Sequence, residues 1–297
     1  MNTFVATIDL ALAPKLQEDL ESQGFVLTKP PYTLFSANKP GVSCTLYTSG
    51  KITVQGKGKD EFISFYLEPE ILKNVSYSYP EVSVDLTPHI GVDEAGKGDF
   101  FGPLCIGAVY ADENGIKELL KLGVKDSKEM SDKTMLALAP KIRAATAATV
   151  IRISPLKYNE MYQSFQNLNR LLAWGHATAI AELVQKTGCQ KALIDQFAKE
   201  SLVEAALAKK GIRIDLTQRP KAEEDPVVAA ASIMARAAFV DGIDALSKDV
   251  GLTLPKGASS LVIAAGRKLV QKEGRSILEK VGKLHFKTAQ EILSQQI

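Results

Sequence analysis

The stretch His89–Pro103, HIGVDEAGKGDFFGP, constrains the fold of this chain more than any other. An apolar run ends in two consecutive carboxylates, Asp93 and Glu94, and a glycine-rich turn then leads into a second apolar run, Leu104 to Tyr110. This pattern predicts a strand, a tight turn and a second strand. Because neighbouring strand residues point to opposite faces, we expect the two acids to lie at the strand end, where both can bend toward one point.

Three interpretations of this turn compete. A solvated turn is the first, since charged turns are common. A P-loop is the second, because Gly91 and Gly96-Lys97 match the start of its motif. However, Gly98 stands where that motif needs a hydroxyl, and two carboxylates would repel a phosphate. A divalent-metal site is the third; it needs hard oxygen ligands at a strand end, and it requires further acids from elsewhere in the chain.

Such acids follow two later elements. The stretch 191–197 (KALIDQF) predicts a parallel-type strand that ends in Asp195, and ligand groups gather at the carboxyl ends of such strands. Three more acids, at 223–225, precede a helix predicted to begin near Pro226. Each acid also has a plain structural interpretation, because acids commonly cap or precede helices. Taken with the acidic pair, they form the carboxylate set that a two-metal phosphodiester hydrolase requires.

Other elements are predicted around these acids. In the second half of the chain we expect helices near 113–121, from Ser131 as N-cap through 144, and over 167–186, with further strands at 148–153 and 212–216. The alanine-rich start of the helix after Pro226 predicts very close packing on the sheet. His176, in the helix over 167–186, is interpreted as a surface or packing residue, because a solitary imidazole is weak support for a ligand.

Residues 1 to about 74 predict a small α+β unit. We expect a helix over 13–23, strands at 32–38, 42–48 and 51–55, and a second helix over about 60–73. The last hairpin alternates polar side chains, which continue beyond it: Lys51, Thr53, Gln55, Lys57 and Lys59. This face is either the wet side of a half-covered sheet or a platform for a nucleic-acid backbone. The polar, helix-poor stretch 75–88 predicts a linker.

Composition sets modest limits. The 297 residues are 45% hydrophobic and 24% charged, which leaves room for about two domains. The net charge of +2 divides into −3 for residues 1–88 and +5 for the remainder. Three widely spaced cysteines argue against a zinc site and predict reduced thiols in a cytoplasmic protein. Neither a targeting segment nor a membrane-length apolar run is expected.

The acidic motifs resemble those of the type 2 and type 3 ribonucleases H. Four of them occur in that family's order between residue 89 and about 240, namely Asp93-Glu94 with its Gly-x-Gly turn, Asp126-Ser127-Lys128, Asp195, and Lys221-Ala222-Glu223 leading into Ala-Ala-Ala-Ser-Ile. Two features favour type 3. The hairpin Lys51–Lys57 resembles that of an N-terminal domain similar to the TATA-binding protein's half-repeat, and Leu254–Ser259 also resembles type 3.

The resemblance implies a fold and a domain plan. The fold is α/β, with a ribonuclease H-like mixed sheet flanked by helices and a small N-terminal α+β, TATA-binding-protein-like domain. The plan is a substrate-binding domain over 1–74, a linker over 75–88 and a catalytic domain over 89–297.

The resemblance also implies site residues. The catalytic acids, which would hold two Mg²⁺ or Mn²⁺ ions, are Asp93, Glu94, Asp195 and Glu223. Because the interval before Ser232 is one residue shorter than the family pattern, Glu224 is the reserve for the fourth ligand. Contacts to sugar and phosphate near the cut are expected from Gly96, Lys97, Gly98, Asp126, Ser127 and Lys128. Lys97 departs from the Thr or Arg that other members often carry, so its contribution is open.

The implied activity is cleavage of the RNA strand of RNA–DNA hybrids by a cytoplasmic endoribonuclease, leaving 3′-hydroxyl and 5′-phosphate ends. The expected partner is the hybrid, with no membrane and no obligate protein partner. Two alternatives stay open. One is a type 2 enzyme that prefers single embedded ribonucleotides, and the other is a hybrid-binding protein without catalysis.

Overall fold

The chain folds into two compact units, Met1–Asp85 and Leu86–Ile297. They are seen in a computed structural model that describes residues 3–73, 77, 84–124, 130–197 and 199–294. The segment Asp126–Lys128 and most of the expected linker 75–88 lie outside the described residues.

The first unit is an antiparallel sheet with helices on one face. Its elements are β1 (Phe4–Thr7), α1 (Ala13–Ser22), β2 (Val26–Thr28), β3 (Thr33–Lys39), β4 (Val42–Tyr47), β5 (Lys51–Gln55) and α2 (Lys59–Phe62), which continues as a π-helix over Ile63–Leu72. The strand order is β1-β5-β4-β3-β2. Leu16 and Leu20 of α1 and Ile63 and Leu67 of the π-helix are fully buried against the sheet.

The expected α+β character of this unit is confirmed, with two differences. β1 and β2 were not predicted, because four and three residues are too few to display a period. The second helix was predicted as one regular helix, but it is wound as a π-helix from Ile63. Pro69 lies inside that π-helix, where it has no N–H to donate to a regular α-helical ladder.

The second unit is built on a mixed five-stranded sheet, as expected. Its strands are β6 (His89–Ala95), β7 (Leu104–Ala111), β8 (Ala147–Ile153), β9 (Lys191–Asp195) and β10 (Asp215–Arg219), in the order β10-β9-β6-β7-β8. β6, β7 and β8 pair antiparallel, whereas β9 runs parallel to both β6 and β10. The carboxyl ends of β6 and β9 therefore meet at the same edge of the sheet.

One strand was predicted too early. Residues 212–216 were expected to form it, but the strand is Asp215–Arg219. The N–H of Ile212 instead donates to the carbonyl of Leu207, 3.0 Å away, and so closes the end of the preceding helix. Apolar composition alone did not separate this helix-closing segment from the strand that follows it.

Helices cover both faces of this sheet. They are α3 (Glu113–Lys121), α4 (Asp132–Ala145), α5 (Pro155–Phe165), α6 (Leu168–Thr187), α7 (Glu200–Ala208), α8 (Pro226–Val250), α9 (Ser260–Glu273), α10 (Ile277–Val281) and α11 (Lys287–Leu293). The predicted Ser131 cap is confirmed, since its hydroxyl accepts from the N–H of Thr134 at 3.2 Å. α6 and α7 pack on the face that carries Ile90, Val92 and Ile106.

α8 lies against the opposite face, unusually close to the strands. A Cβ added at Gly91 would stand 2.5 Å from the carbonyl carbon of Val227, and one at Gly107 would stand 2.3 Å from the carbonyl oxygen of Ala231. The expected close packing of the alanine-rich helix is thus confirmed. α8 is long and apolar enough to cross a membrane, but 83% of its most apolar window is buried inside the unit, as in a core helix.

Candidate active site

Asp93 and Glu94 leave opposite faces of β6. Pairing with β7 continues through Ala95 and Cys105, so the strand alternation holds across both acids. Asp93 therefore faces α8, where it is hydrogen-bonded to the side chain of Ser232. Glu94 faces α6, where it meets His176. Both acids lie among the last three residues of β6, as expected for a strand end, although the strand does not end between them.

Glu94 is held at both carboxylate oxygens. His176 Nε2 donates to Oε2 at 3.0 Å, and Lys97 Nζ donates to Oε1 at 3.2 Å. The side chain of His176 is fully buried, whereas that of Lys97 is 39% exposed. Burial acts to raise the pKa of Glu94, but the hydrogen bonds and charges of these two partners outweigh it and hold the pKa below its usual range.

Asp93 has the opposite electrostatic character. Burial, and then the charge of neighbouring Glu94, raise the pKa of Asp93 to about 7, although Ser232 and the N–H of Glu94 act against this. That N–H donates to Oδ1 of Asp93 at 2.8 Å. A buried carboxyl with a raised pKa is typical of a functional site, because burial there disfavours its ionised form.

Asp195 and Glu223 form a second acidic pair beside the first. Val92 of β6 pairs with Ile194 of β9, and the next residues on these parallel strands are Asp93 and Asp195. The two acids therefore lie side by side on neighbouring strands. Asp195 Oδ1 accepts from the N–H of Ala222 at 3.0 Å. Its pKa is raised by burial first, and also by the charge and a hydrogen bond of Glu223 and by the charge of Glu94. Three acids therefore influence one another at this edge of the sheet.

The other two acids before α8 are placed differently. The 3₁₀ turn Ala222–Glu224 leaves Glu223 half-buried beside Asp195 and Glu224 exposed. Asp225 is 7% exposed and caps α8, accepting from the N–H groups of Val227 and Val228. It also accepts from His89 Nε2 at 3.0 Å. Asp225 therefore has a structural role at the base of β6.

The glycine turn after the acidic pair is held by close backbone packing and by a buried lysine. Gly96 has φ +85, and a Cβ there would stand 2.3 Å from the carbonyl oxygen of Pro103. Lys283, whose side chain is fully buried, donates Nζ to the carbonyls of Asp99 at 2.8 Å and Gly102 at 2.7 Å. Burial lowers the pKa of Lys283 to about 8. By contrast, Gly98 has open space around its Cα.

In the first unit, the alternating polar face ends with the strand. Ile52 and Val54 are fully buried, and Lys51, Thr53 and Gln55 share the other face, where Lys51 and Gln55 are exposed. Lys57 is exposed in the turn that follows. The expected continuation to Lys59 was wrong, because Lys59 begins α2. Its Nζ lies 3.2 Å from Asp60 and 3.2 Å from the hydroxyl of Tyr77.

Sequence reasoning missed three supporting side chains. His176 was interpreted as a surface or packing residue; it is buried as packing residues are, but it also binds Glu94. Ser232 lies within a motif already singled out, so its link to Asp93 had a signal that was not used. No sequence pattern pointed to Lys283, because it lies 181 positions from Gly102 and the contact arises only through tertiary packing.

The donor set fits divalent metal. Within the described residues, no three of the His, Cys, Asp and Glu side chains close around one point. The carboxylates instead stand as two neighbouring pairs, and Asp93 and Asp195 both have pKa values raised by burial and by like charge. Hard carboxylate oxygens in excess at one sheet edge are what Mg²⁺ and Mn²⁺ prefer.

Two family models match the chain. The model described as Ribonuclease HII matches residues 90–289, and a domain of unknown function matches residues 3–78. Ribonuclease HIII of Protochlamydia amoebophila is 54% identical over 98% of this chain and 97% of the relative. Ribonuclease HIII of Chlamydia caviae is 49% identical over 97% of each chain.

Solved structures agree with these sequence matches. A crystal structure of Bst-RNase HIII in complex with Mn²⁺ superposes with a TM-score of 0.69 at 30% identity, covering 99% of this chain and 98% of the other. Ribonuclease H2 from Pyrococcus horikoshii OT3 matches with a TM-score of 0.60 at 26% identity, covering 70% of this chain and 98% of the other. The second match leaves out about a third of this chain.

Proposed function

Since the chain belongs to the ribonuclease HII family, among the proteins named ribonuclease HIII, and is a metal-dependent ribonuclease H, we propose that it is an endonuclease that hydrolyses the RNA strand of RNA–DNA hybrids and leaves 3′-hydroxyl and 5′-phosphate ends. The observation that carries this proposal is the meeting of two acidic pairs at adjacent carboxyl strand ends. We also propose that it acts in the cytoplasm without an obligate protein partner.

The four acids have distinct parts in this proposal. Asp93, Glu94, Asp195 and Glu223 would hold two Mg²⁺ or Mn²⁺ ions, which when bound would supply activation of the attacking water and stabilisation of the leaving oxygen. Metal binding would favour the ionised forms of Asp93 and Asp195, against the raised pKa values that burial gives them. Ser232 and His176 orient Asp93 and Glu94 from opposite faces of the sheet. Glu224, the former reserve, is exposed, and this supports Glu223 as the fourth ligand.

Nucleic-acid contacts complete the proposal. The Gly96–Gly98 turn offers backbone N–H groups and, at Gly98, an unobstructed approach for a sugar or phosphate. Lys97, whose Nζ lies 3.2 Å from Oε1 of Glu94, supplies positive charge beside it. We propose that Asp126, Ser127 and Lys128 also contact the sugar and phosphate near the cut. In the first unit Lys51, Thr53, Gln55 and Lys57 contact the nucleic-acid backbone; Lys59, already engaged by Asp60 and Tyr77, contributes less.

A comparison of three duplexes tests the proposal. An RNA–DNA hybrid, a DNA duplex with one ribonucleotide and an all-DNA duplex are incubated with and without Mg²⁺ or Mn²⁺, and the ends of the products are identified. We expect metal-dependent cleavage of the hybrid at several positions and none of DNA, because the 2′-hydroxyl separates RNA from DNA. Cleavage of the single-ribonucleotide duplex alone would support a type 2 preference, and binding without cleavage would contradict catalysis.

A further inference from the structure

A groove between α6 and α7 lies apart from the carboxylate site. Its volume is about 730 Å³, and its lining includes Trp174 and Phe165, with Arg170, Lys209 and Lys210 around them. Trp174 and His176 are two positions apart on α6, so their side chains leave different faces of the helix. The groove therefore does not share the surface on which His176 meets Glu94.

The charge of this groove is one-sided. No carboxylate is among its lining residues in the part of the chain that the structure describes. Arg170, Lys209 and Lys210 are exposed, and none of them has an ion-pair partner among the described residues. Like charges that converge without compensation repel one another, so an anion that entered between them would be stabilised.

The aromatic part of the groove adds a second recognition element. Trp174 is half-buried, and the Nζ of Lys210 lies 5.6 Å from the centre of its ring. A nucleobase stacked on the same ring gains more than an exposed cation–π contact does. Lys210 is exposed on a flexible stem, so it can leave the ring and meet a phosphate. An aromatic platform with cations around it is the arrangement that binds single strands.

We propose that this groove binds unpaired nucleotides of a nucleic-acid strand, with one base stacked on Trp174 and the adjoining phosphates on Arg170, Lys209 and Lys210. A base within a duplex is stacked on its neighbours and cannot enter a recess between two helices, whereas a splayed base can. The groove is thus a site for a single-stranded segment, separate from the cleavage of a hybrid.

The intrinsic fluorescence of the protein tests this directly, because Trp174 is its only tryptophan. The full chain, in chelator and without divalent metal, is titrated with a single-stranded oligothymidylate. We expect saturable quenching of the tryptophan emission. An abasic strand of the same length should bind more weakly and quench little. Emission that stays unchanged at saturation, or an abasic strand or heparin that quenches equally, would overturn the proposal.

Charge variants complete the test. Arg170→Ala combined with Lys209→Ala should weaken the binding of the oligothymidylate at least about tenfold. The matched control removes two exposed cations elsewhere in the unit, Lys141→Ala with Lys186→Ala, and should leave affinity within about twofold. Equal losses of affinity in both double variants would show that the effect comes from net charge alone and would refute the site. In the Asp195→Asn variant, the oligothymidylate should quench the tryptophan emission as in wild type. A loss of hybrid cleavage and a loss of binding in this groove are therefore separate results.

Discussion

The imidazole Nε2 of His176 lies 3.0 Å from Oε2 of Glu94 and joins the middle of α6 to the acidic edge of the sheet. Within the described residues, the other ring nitrogen, Nδ1, is buried without a hydrogen-bond partner. Since the pKa of Glu94 is held below its usual range, its carboxylate is ionised and Nε2 must donate this hydrogen bond. The other oxygen of Glu94 is held only by the more exposed Lys97, which a metal ion can displace at smaller cost.

The first prediction concerns this pair. His176→Ala should weaken Mn²⁺ binding or turnover by about 10–100-fold, because groups that orient a metal ligand carry effects of that size. Calorimetric titration of Mn²⁺ into the protein without nucleic acid measures the affinity, and His176→Gln, which keeps a donor, should lose less. Lys97→Met is the matched control and should bind Mn²⁺ at least as tightly as wild type, since it removes a competing cation. Similar losses in both variants would contradict the assignment.

The second prediction concerns Asp195. Asp195→Asn should abolish hybrid cleavage while hybrid binding persists, because the amide keeps an acceptor for the N–H of Ala222 but is a poor metal ligand. Cleavage of a labelled hybrid and its binding in chelator are measured on the same preparation. A rate within about tenfold of wild type, a barrier change of only ~1.4 kcal/mol, would remove Asp195 from the site.

The fourth acid gives a ranking. Glu223→Gln should damage cleavage far more than Glu224→Gln, because Glu223 is half-buried against Asp195 whereas Glu224 is exposed. Asp225→Asn should chiefly lower the thermal midpoint, since Asp225 caps α8 and binds His89. Single-turnover rates and melting curves of the three variants separate these effects. If Glu224→Gln were the more damaging, the alignment of this short segment would be off by one residue.

A pH dependence of stability follows from His89. Burial acts to lower the pKa of His89, but the hydrogen bond and charge of Asp225 outweigh it, so the folded-state pKa lies above the ordinary 6.5. A raised histidine pKa stabilises the folded state below pH 6.5, and this contribution is lost as the pH rises through the folded-state value. The difference in unfolding free energy between wild type and His89→Gln should therefore shrink over that window. A difference that is constant across it would show that the imidazole does not titrate there.

The last prediction concerns the first unit. Replacing Lys51 and Lys57 together by Ala should weaken hybrid binding and flatten its salt dependence, by a slope of about 0.9 for each phosphate contact on a duplex with the charge density of B-DNA. Turnover at saturating hybrid should change little. Lys59→Ala serves as the control and should have a smaller effect, because Asp60 and Tyr77 already hold that ammonium. An unchanged slope in the double variant would leave this face as solvated surface.

Local patterns predicted much of this molecule. The hairpin around the acidic pair, the parallel strand ending in Asp195 and the helix from Pro226 follow from apolar periods and turn residues, and the structure has all three. The partners of the acids did not follow from such patterns. His176 reaches Glu94 across 82 positions and Lys283 reaches Asp99 across 184, so both contacts depend on tertiary packing. The prediction missed β2 and misplaced β10, because these strands of three and five residues are too short to show a clear period.

The two hydrogen bonds from Lys283 also determine when the turn after the acidic pair can be stabilised during synthesis of the chain. The turn that follows the acidic pair is translated early, but the ammonium that holds its carbonyls is added 181 to 184 residues later. A chain still emerging from the ribosome therefore carries the turn that follows these acids without that support. The turn can be held in this way only after Lys283 has been synthesised and the segment between α10 and α11 has packed beneath it.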